Sequence, residues 1–216
     1  MTADQVSREK IYVHRLFVRV FHWVNALGMT LMIMSGWRIY NASPLFDFRF
    51  PNGITLGGWL GGALQWHFAA MWLLVINLLI YVIVGFATGH FKRRFTPVSP
   101  SSAMGDMAKA LKGKLPHSAT TYNAVQKASY IGVLLAIILA IVSGSVVWKP
   151  VQLQELGLLM GGYEGARLVH FFSMAAICAF IVLHLTLVLL VPSTLIPMII
   201  GWVRKTELEQ EASHEH

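Results

Sequence analysis

The chain is short of charge, short of cysteine and, over four long windows, without any charge at all. Charged residues make up 12% of its 216 residues and hydrophobic residues 56%, about half the charge of an average soluble domain. Its one cysteine, Cys178, has no disulfide partner in the chain, and one thiolate cannot hold an iron–sulfur cluster or a Cys-based zinc site. No Lys, Arg, Asp or Glu falls within 21–37, 64–88, 128–147 or 168–200. Uncharged apolar windows of that length are the mark of membrane-spanning helices. The net charge of +7 lies in the segments between them, which argues against a nucleic-acid surface. The charged first twenty residues and the lack of a cleavage motif argue against a cleaved signal peptide, so the first helix is expected to act as the insertion signal.

What these windows do contain is histidine. The pattern predicts an all-α, four-helix integral membrane bundle forming one domain over 1–216, with helices near 15–40, 63–89, 122–148 and 165–200. Loops are expected at 41–62, 90–121 and 149–164. His22 falls in the first helix, His67 in the first turn of the second, and His170 and His184 in the fourth. The segment from His90 to Lys127 carries seven basic residues against one acid, Asp106, whereas 38–63 and 148–167 carry two basic residues each. The positive-inside rule therefore makes the middle loop and both termini cytoplasmic, and the other two loops periplasmic.

Depth then follows from helix rise. The first helix enters from the cytoplasm, so His22 lies near the inner face. The second and fourth enter from outside, which puts His67 and His170 near the outer face and His184 near the inner one. His170 and His184 are fourteen residues apart, so they share a helix face about 21 Å apart along the axis. The histidines sort by depth into His22 with His184 and His67 with His170.

Imidazole in hydrocarbon is costly without a partner and marks function. One such histidine is commonly satisfied by a neighbouring helix; four that pair by depth fit the two axial positions of two haems. Bis-His ligation gives a six-coordinate iron suited to electron transfer. Zinc is disfavoured because each depth offers two histidines and no carboxylate, and a proton relay lacks intramembrane acids. Arg19 and Arg167 stand one turn outward of His22 and His170 and are candidates for haem propionates; each also reads as an interfacial snorkelling arginine. Gly28, Gly36, Gly85 and Gly144 could admit a flat macrocycle or serve helix packing. Ser35-Gly36 and Ser143-Gly144 form a faint internal similarity that spacing alone assigns to coincidence. Tyr122, Asn123, Gln126 and Lys127 open the third helix at the cytoplasmic surface, where Asn123 and Gln126 share a face and could hold a quinone carbonyl or simply cap the helix. His14, His90, His117, His214 and His216 lie outside the spans and read as interfacial or solvated.

The runs Arg19-Val20-Phe21-His22-Trp23, Trp66-His67-Phe68 and Tyr122 to Lys127, with the His170–His184 spacing, resemble the di-haem cytochrome b membrane subunits. That group takes in formate dehydrogenase gamma subunits, nickel–iron hydrogenase b-type cytochromes and bacterial cytochrome b561, and the nearest likeness is to the thiosulfate-reductase-type branch. The resemblance covers His14 to Trp202. It implies two haem b groups, ligated by the pairs reached above from depth, with ubiquinone or menaquinone beside the inner haem near His184 and Asn123. It also implies an inner-membrane respiratory electron-transport subunit whose partner is a periplasmic molybdopterin or iron–sulfur protein; a homo-oligomer is compatible with it. The rival readings are a self-contained superoxide:quinone oxidoreductase, favoured by a basic periplasmic funnel, and a non-redox scaffold or transporter, which would be colourless.

Overall fold

The computed structural model describes residues 10–88, 124–190 and 195–204, with Lys10, 124–130 and Arg204 described by backbone alone. Four helices are long and apolar enough to cross a membrane: α1 (Leu16–Ala42), α2 (Leu60–Ala87), α3 (Ala124–Trp148) and α5 (Gly162–Leu190). A short helix α4 (Gln154–Leu159) lies between α3 and α5, and α6 (Leu195–Ile200) follows α5. Two short strands, β1 (Lys10–Tyr12) and β2 (Trp202–Arg204), pair antiparallel with Lys10 opposite Arg204 and Tyr12 opposite Trp202.

These helices are apolar on every side, so their packing follows membrane rules. With lipid as solvent, large apolar side chains gain little by turning inward, and helices approach through small residues and polar contacts. The side chains at 1% exposure or less bear this out: Ala63, Ala70, Ser35, Ser143 and Ala166, with Val146 the largest among them. Leu27, Ile76, Ile83, Phe86, Leu134 and Leu189 lie on the outside.

The described residues fall into two compact units. One holds β1, α1, α2 and the chain from Leu187 through α6 and β2; the other holds α3, α4 and α5 as far as Thr186.

In the first unit α1 and α2 are joined at three levels. Asn77, buried on α2, donates its amide to the Phe21 carbonyl (3.2 Å) and to Asn25 Oδ1 (2.8 Å). Midway, Leu74 seats against Gly28, where an added Cβ would come within 2.7 Å of it. Near the far end Ser35 on α1 meets His67 on α2. The loop between them folds back over the end of α1. Leu56 N–H donates to the Met34 carbonyl (3.0 Å), Arg38 to Asn52 Oδ1 (2.8 Å), and Asn41 bonds Phe50 through both backbone groups. Phe50 stacks on Trp37 at 4.8 Å. Gly57 makes the turn into α2: its φ of +106° suits glycine, and a Cβ there would stand 2.4 Å from the Ala63 backbone.

The helix limits differ from the sequence expectation in places. α2 starts at Leu60, because Trp59 is extended and its carbonyl accepts Ala63 N–H. His67 therefore sits in the second turn, not the first. In the fourth segment the described helices are α5, to Leu190, and α6, from Leu195; Pro192 lies outside the described residues. Residues 10–12 form a strand because the returning chain offers them a partner. Gly201, at φ +92°, turns α6 into β2, and its carbonyl accepts Val13 and His14 N–H at 3.0 and 3.2 Å.

In the second unit α4 packs on α3, with Val146 3.3 Å from the place of a Cβ on Gly157. α5 is anchored to α3 through His170.

Candidate functional site

Each unit holds one histidine in the same way. In the first, Ser35 Oγ lies 3.0 Å from His67 Nδ1, and a Cβ on the adjacent Gly36 would stand 3.4 Å from His67 Cε1. In the second, Ser143 Oγ lies 3.3 Å from His170 Nδ1, and a Cβ on Gly144 would stand 2.9 Å from His170 Cε1. The Ala140 carbonyl also accepts from His170 Nδ1, at 2.9 Å. A Ser-Gly pair on one long helix thus seats an imidazole from the other long helix of its own unit. The similarity between Ser35-Gly36 and Ser143-Gly144, slight in sequence, has one physical role in both places. It was detectable as a repeated dipeptide, and its meaning needed the long-range contact.

His22 and His184 have different surroundings. Their rings lie beside aromatic ones: His22 is edge-on to Trp23 at 5.4 Å, and His184 is parallel to Phe180, one turn earlier on α5, at 6.0 Å. His22 and Asn77 are associated through the main chain, since Asn77 binds the carbonyl of Phe21. Asn25 and Asn77 were missed from sequence, although an asparagine in an apolar span is itself a signal of an interhelical bond.

The two arginines expected near haem propionates are both engaged. Arg19 Nη1 donates to the Ile199 carbonyl at the end of α6, next to a Trp23 Nε1 bond to Met198 O (3.2 Å). Arg19 Nε is buried and has no hydrogen-bond partner among the described residues. Arg167 pairs with Glu164 at 2.9 Å within the first turns of α5. The indole Nε1 of Trp37, beside Gly36, is likewise buried with no partner among the described residues. Of the quinone candidates, Tyr122 and Asn123 lie outside the described residues; Gln126 and Lys127 are in the first turn of α3, with side chains outside them.

A family model for prokaryotic cytochrome b561 matches residues 13–201, nearly the whole described chain. The chain belongs to the prokaryotic cytochrome b561 family. A relative from Azospira oryzae, named as the YedZ1 subunit of a protein-methionine-sulfoxide reductase, is 50% identical over 91% of this chain and 100% of its own length. The cytochrome b556(fdo) subunit of formate dehydrogenase from Escherichia coli is 21% identical over 86% of this chain and 82% of its own. A nickel–iron hydrogenase B-type cytochrome subunit from Bradyrhizobium diazoefficiens matches 41% of this chain, covering 34% of its own length, at 28% identity. As a cytochrome b561 this is a multi-pass protein of the bacterial inner membrane and a membrane electron-transfer subunit, and the family implies b-type haem.

Proposed function

We propose that this cytochrome b561 is a di-haem conduit between the quinone pool and a periplasmic redox subunit. His22 and His184 are the axial ligands of a haem b near the cytoplasmic face, and His67 and His170 those of a second near the periplasmic face. The observation that carries this is one spacing found in both units. On α1 the ring of His67 rests against Gly36, fourteen residues beyond His22; on α5 His170 and His184 are also fourteen apart. Each helix thus presents two positions on one face, about 21 Å apart. α5 offers a ligand at both; α1 offers a ligand at the inner one and a glycine notch behind a ligand at the outer one.

The donor chemistry fits haem. Each outer histidine uses Nδ1 toward its own unit, and Arg19 Nε and Trp37 Nε1 are buried donors suited to propionates at the two depths. Arg167 would serve a propionate only by sharing its pairing with Glu164. Bound at these ligands, six-coordinate haem supplies one-electron transfer with the iron closed to oxygen. The residues of the chain orient the imidazoles, keep water out of the apolar span and, at Tyr122, Asn123, Gln126, Lys127 and His184, bind the quinone and meet cytoplasmic protons.

The name of the Azospira relative supports a partner that reduces methionine sulfoxide, and the family resemblance supports one of the molybdopterin class. Quinol would release two electrons and two protons; a sulfoxide takes up two of each and releases water. That direction sends electrons outward. The superoxide reading is the weaker one, because two of the four outer basic residues are engaged within the chain, Arg38 with Asn52 and Arg167 with Glu164. The test is haem content in the purified protein. His67→Ala and His170→Ala should each leave one haem of two, and full retention in both sinks the outer site. Quinol-driven reduction of the haems in proteoliposomes, followed by reoxidation on adding the partner with methionine sulfoxide, tests the route.

A further inference from the structure

We infer that Ser35 and Ser143 are positioning residues for the outer haem, fixing the tautomer of its two axial imidazoles and lowering its potential; this rests on the ligand assignment proposed above. The argument is a count of protons. A serine hydroxyl has one proton to donate. Ser35 Oγ lies 2.6 Å from the Leu31 carbonyl, an atom that can only accept, so its proton goes there. The 3.0 Å contact with His67 must then carry a proton from the other side: His67 Nδ1–H donates to Ser35 Oγ.

The second unit gives the same answer by two routes. Ser143 Oγ donates to the Leu139 carbonyl at 2.5 Å, so it too accepts from its histidine. Independently, His170 Nδ1 lies 2.9 Å from the Ala140 carbonyl, which requires a proton on that nitrogen. A neutral imidazole carries one N–H. With the proton on Nδ1 in both rings, the coordinating lone pair is on Nε2 in both.

The seat also fixes ring position. Gly36 and Gly144 present bare backbone to the Cε1 edge that lies between the two nitrogens. An acceptor on Nδ1–H raises the basicity of the coordinating nitrogen, which favours ferric iron and lowers the potential. Removing the Ser35 hydroxyl therefore raises the potential of the outer haem alone; removing that of Ser143 leaves the Ala140 carbonyl as acceptor for His170 and raises it less.

The test uses the full chain in detergent or nanodiscs, with Ser35→Ala, Ser143→Ala and the volume-matched Ser35→Cys and Ser143→Cys, whose thiol is a weak acceptor. Haem content, redox titration and low-temperature EPR are the readouts. The outer haem is identified as the one missing in His67→Ala. The expected result is an upward shift of its midpoint and an altered EPR signal in Ser35→Ala and Ser35→Cys, or its selective loss, a smaller shift in the Ser143 variants, where the Ala140 carbonyl still accepts, and the other haem unmoved. Unmoved potentials in all four variants overturn the proposal. So do wild-type potentials in the Cys variants alone, which would assign the serines to packing, and changes in both haems together. If His67→Ala and His170→Ala keep both haems, the ligand assignment fails and takes this inference with it. If they each lose one and the serine variants are silent, only the inference fails.

Discussion

In the first unit the ring of His67 rests 3.4 Å from the place of a Cβ on Gly36, with Ser35 as the acceptor at 3.0 Å. In the second, His170 is drawn closer, 2.9 Å from the place of a Cβ on Gly144, and the Ala140 carbonyl accepts beside Ser143. The units share a device and differ in how tightly it is built. The first compensates with contacts elsewhere: the Asn77 bonds to Phe21 and Asn25, the Leu74–Gly28 seat, and a loop bonded back onto the end of α1. The lesson is that a ring can be held by close backbone at one position or by a helix pair tied at several levels.

The largest effect should come from breaking the device at its centre. His67→Ala and His170→Ala should each cost one whole haem, the same one in both, measured as haem per chain and by which midpoint disappears. Next, a single residue inserted between His170 and His184 turns one ring about 100° from the other. The chain should still insert and should lose at least one haem, as membrane-fraction spectra would show. The equivalent insertion between His22 and Gly36 should do the same if the two helices carry matched positions.

The glycine notches separate the units more finely. Gly144→Ala forces His170 to move and should cost roughly 1–3 kcal/mol in overpacking, seen as lower haem retention through purification and a lower Tm. Gly36→Ala meets its ring at a distance that a few tenths of an ångström relieves, so its loss should be distinctly smaller. Equal losses would erase the distinction between the units. The smallest effect is expected from Asn77→Leu, about 1 kcal/mol for an interhelical bond in a membrane. It should weaken the α1–α2 pair in unfolding titrations while haem content at low temperature is kept.

Much of this architecture was legible without coordinates. The four uncharged windows located the spans, because hydropathy is a local property and a bilayer reads it locally. Helix rise gave the expectation of two levels, and Gly36, against which His67 rests, falls at the same interval from His22 as His184 from His170. The start of α2 was misplaced by three residues, since glycine and tryptophan near 57–62 look like loop until Trp59 is seen to stand extended at the N-cap, with the helix starting at Leu60. The strand at Lys10–Tyr12 was not foreseen, since it exists only because β2 returns beside it.

The sequence alone located the four helices long and apolar enough to cross a membrane and the four histidines they carry. Composition and periodicity act within one helix and need no partner. The tertiary structure decided what those histidines touch: Ser35 is thirty-two positions from His67 and Ser143 twenty-seven from His170. A hydroxyl's single proton and a glycine's missing Cβ gain meaning only when a second helix brings a ring against them. The same holds for Arg19, whose Nη1 bonds the carbonyl of Ile199, from the other end of the chain, a contact that sequence position did not suggest.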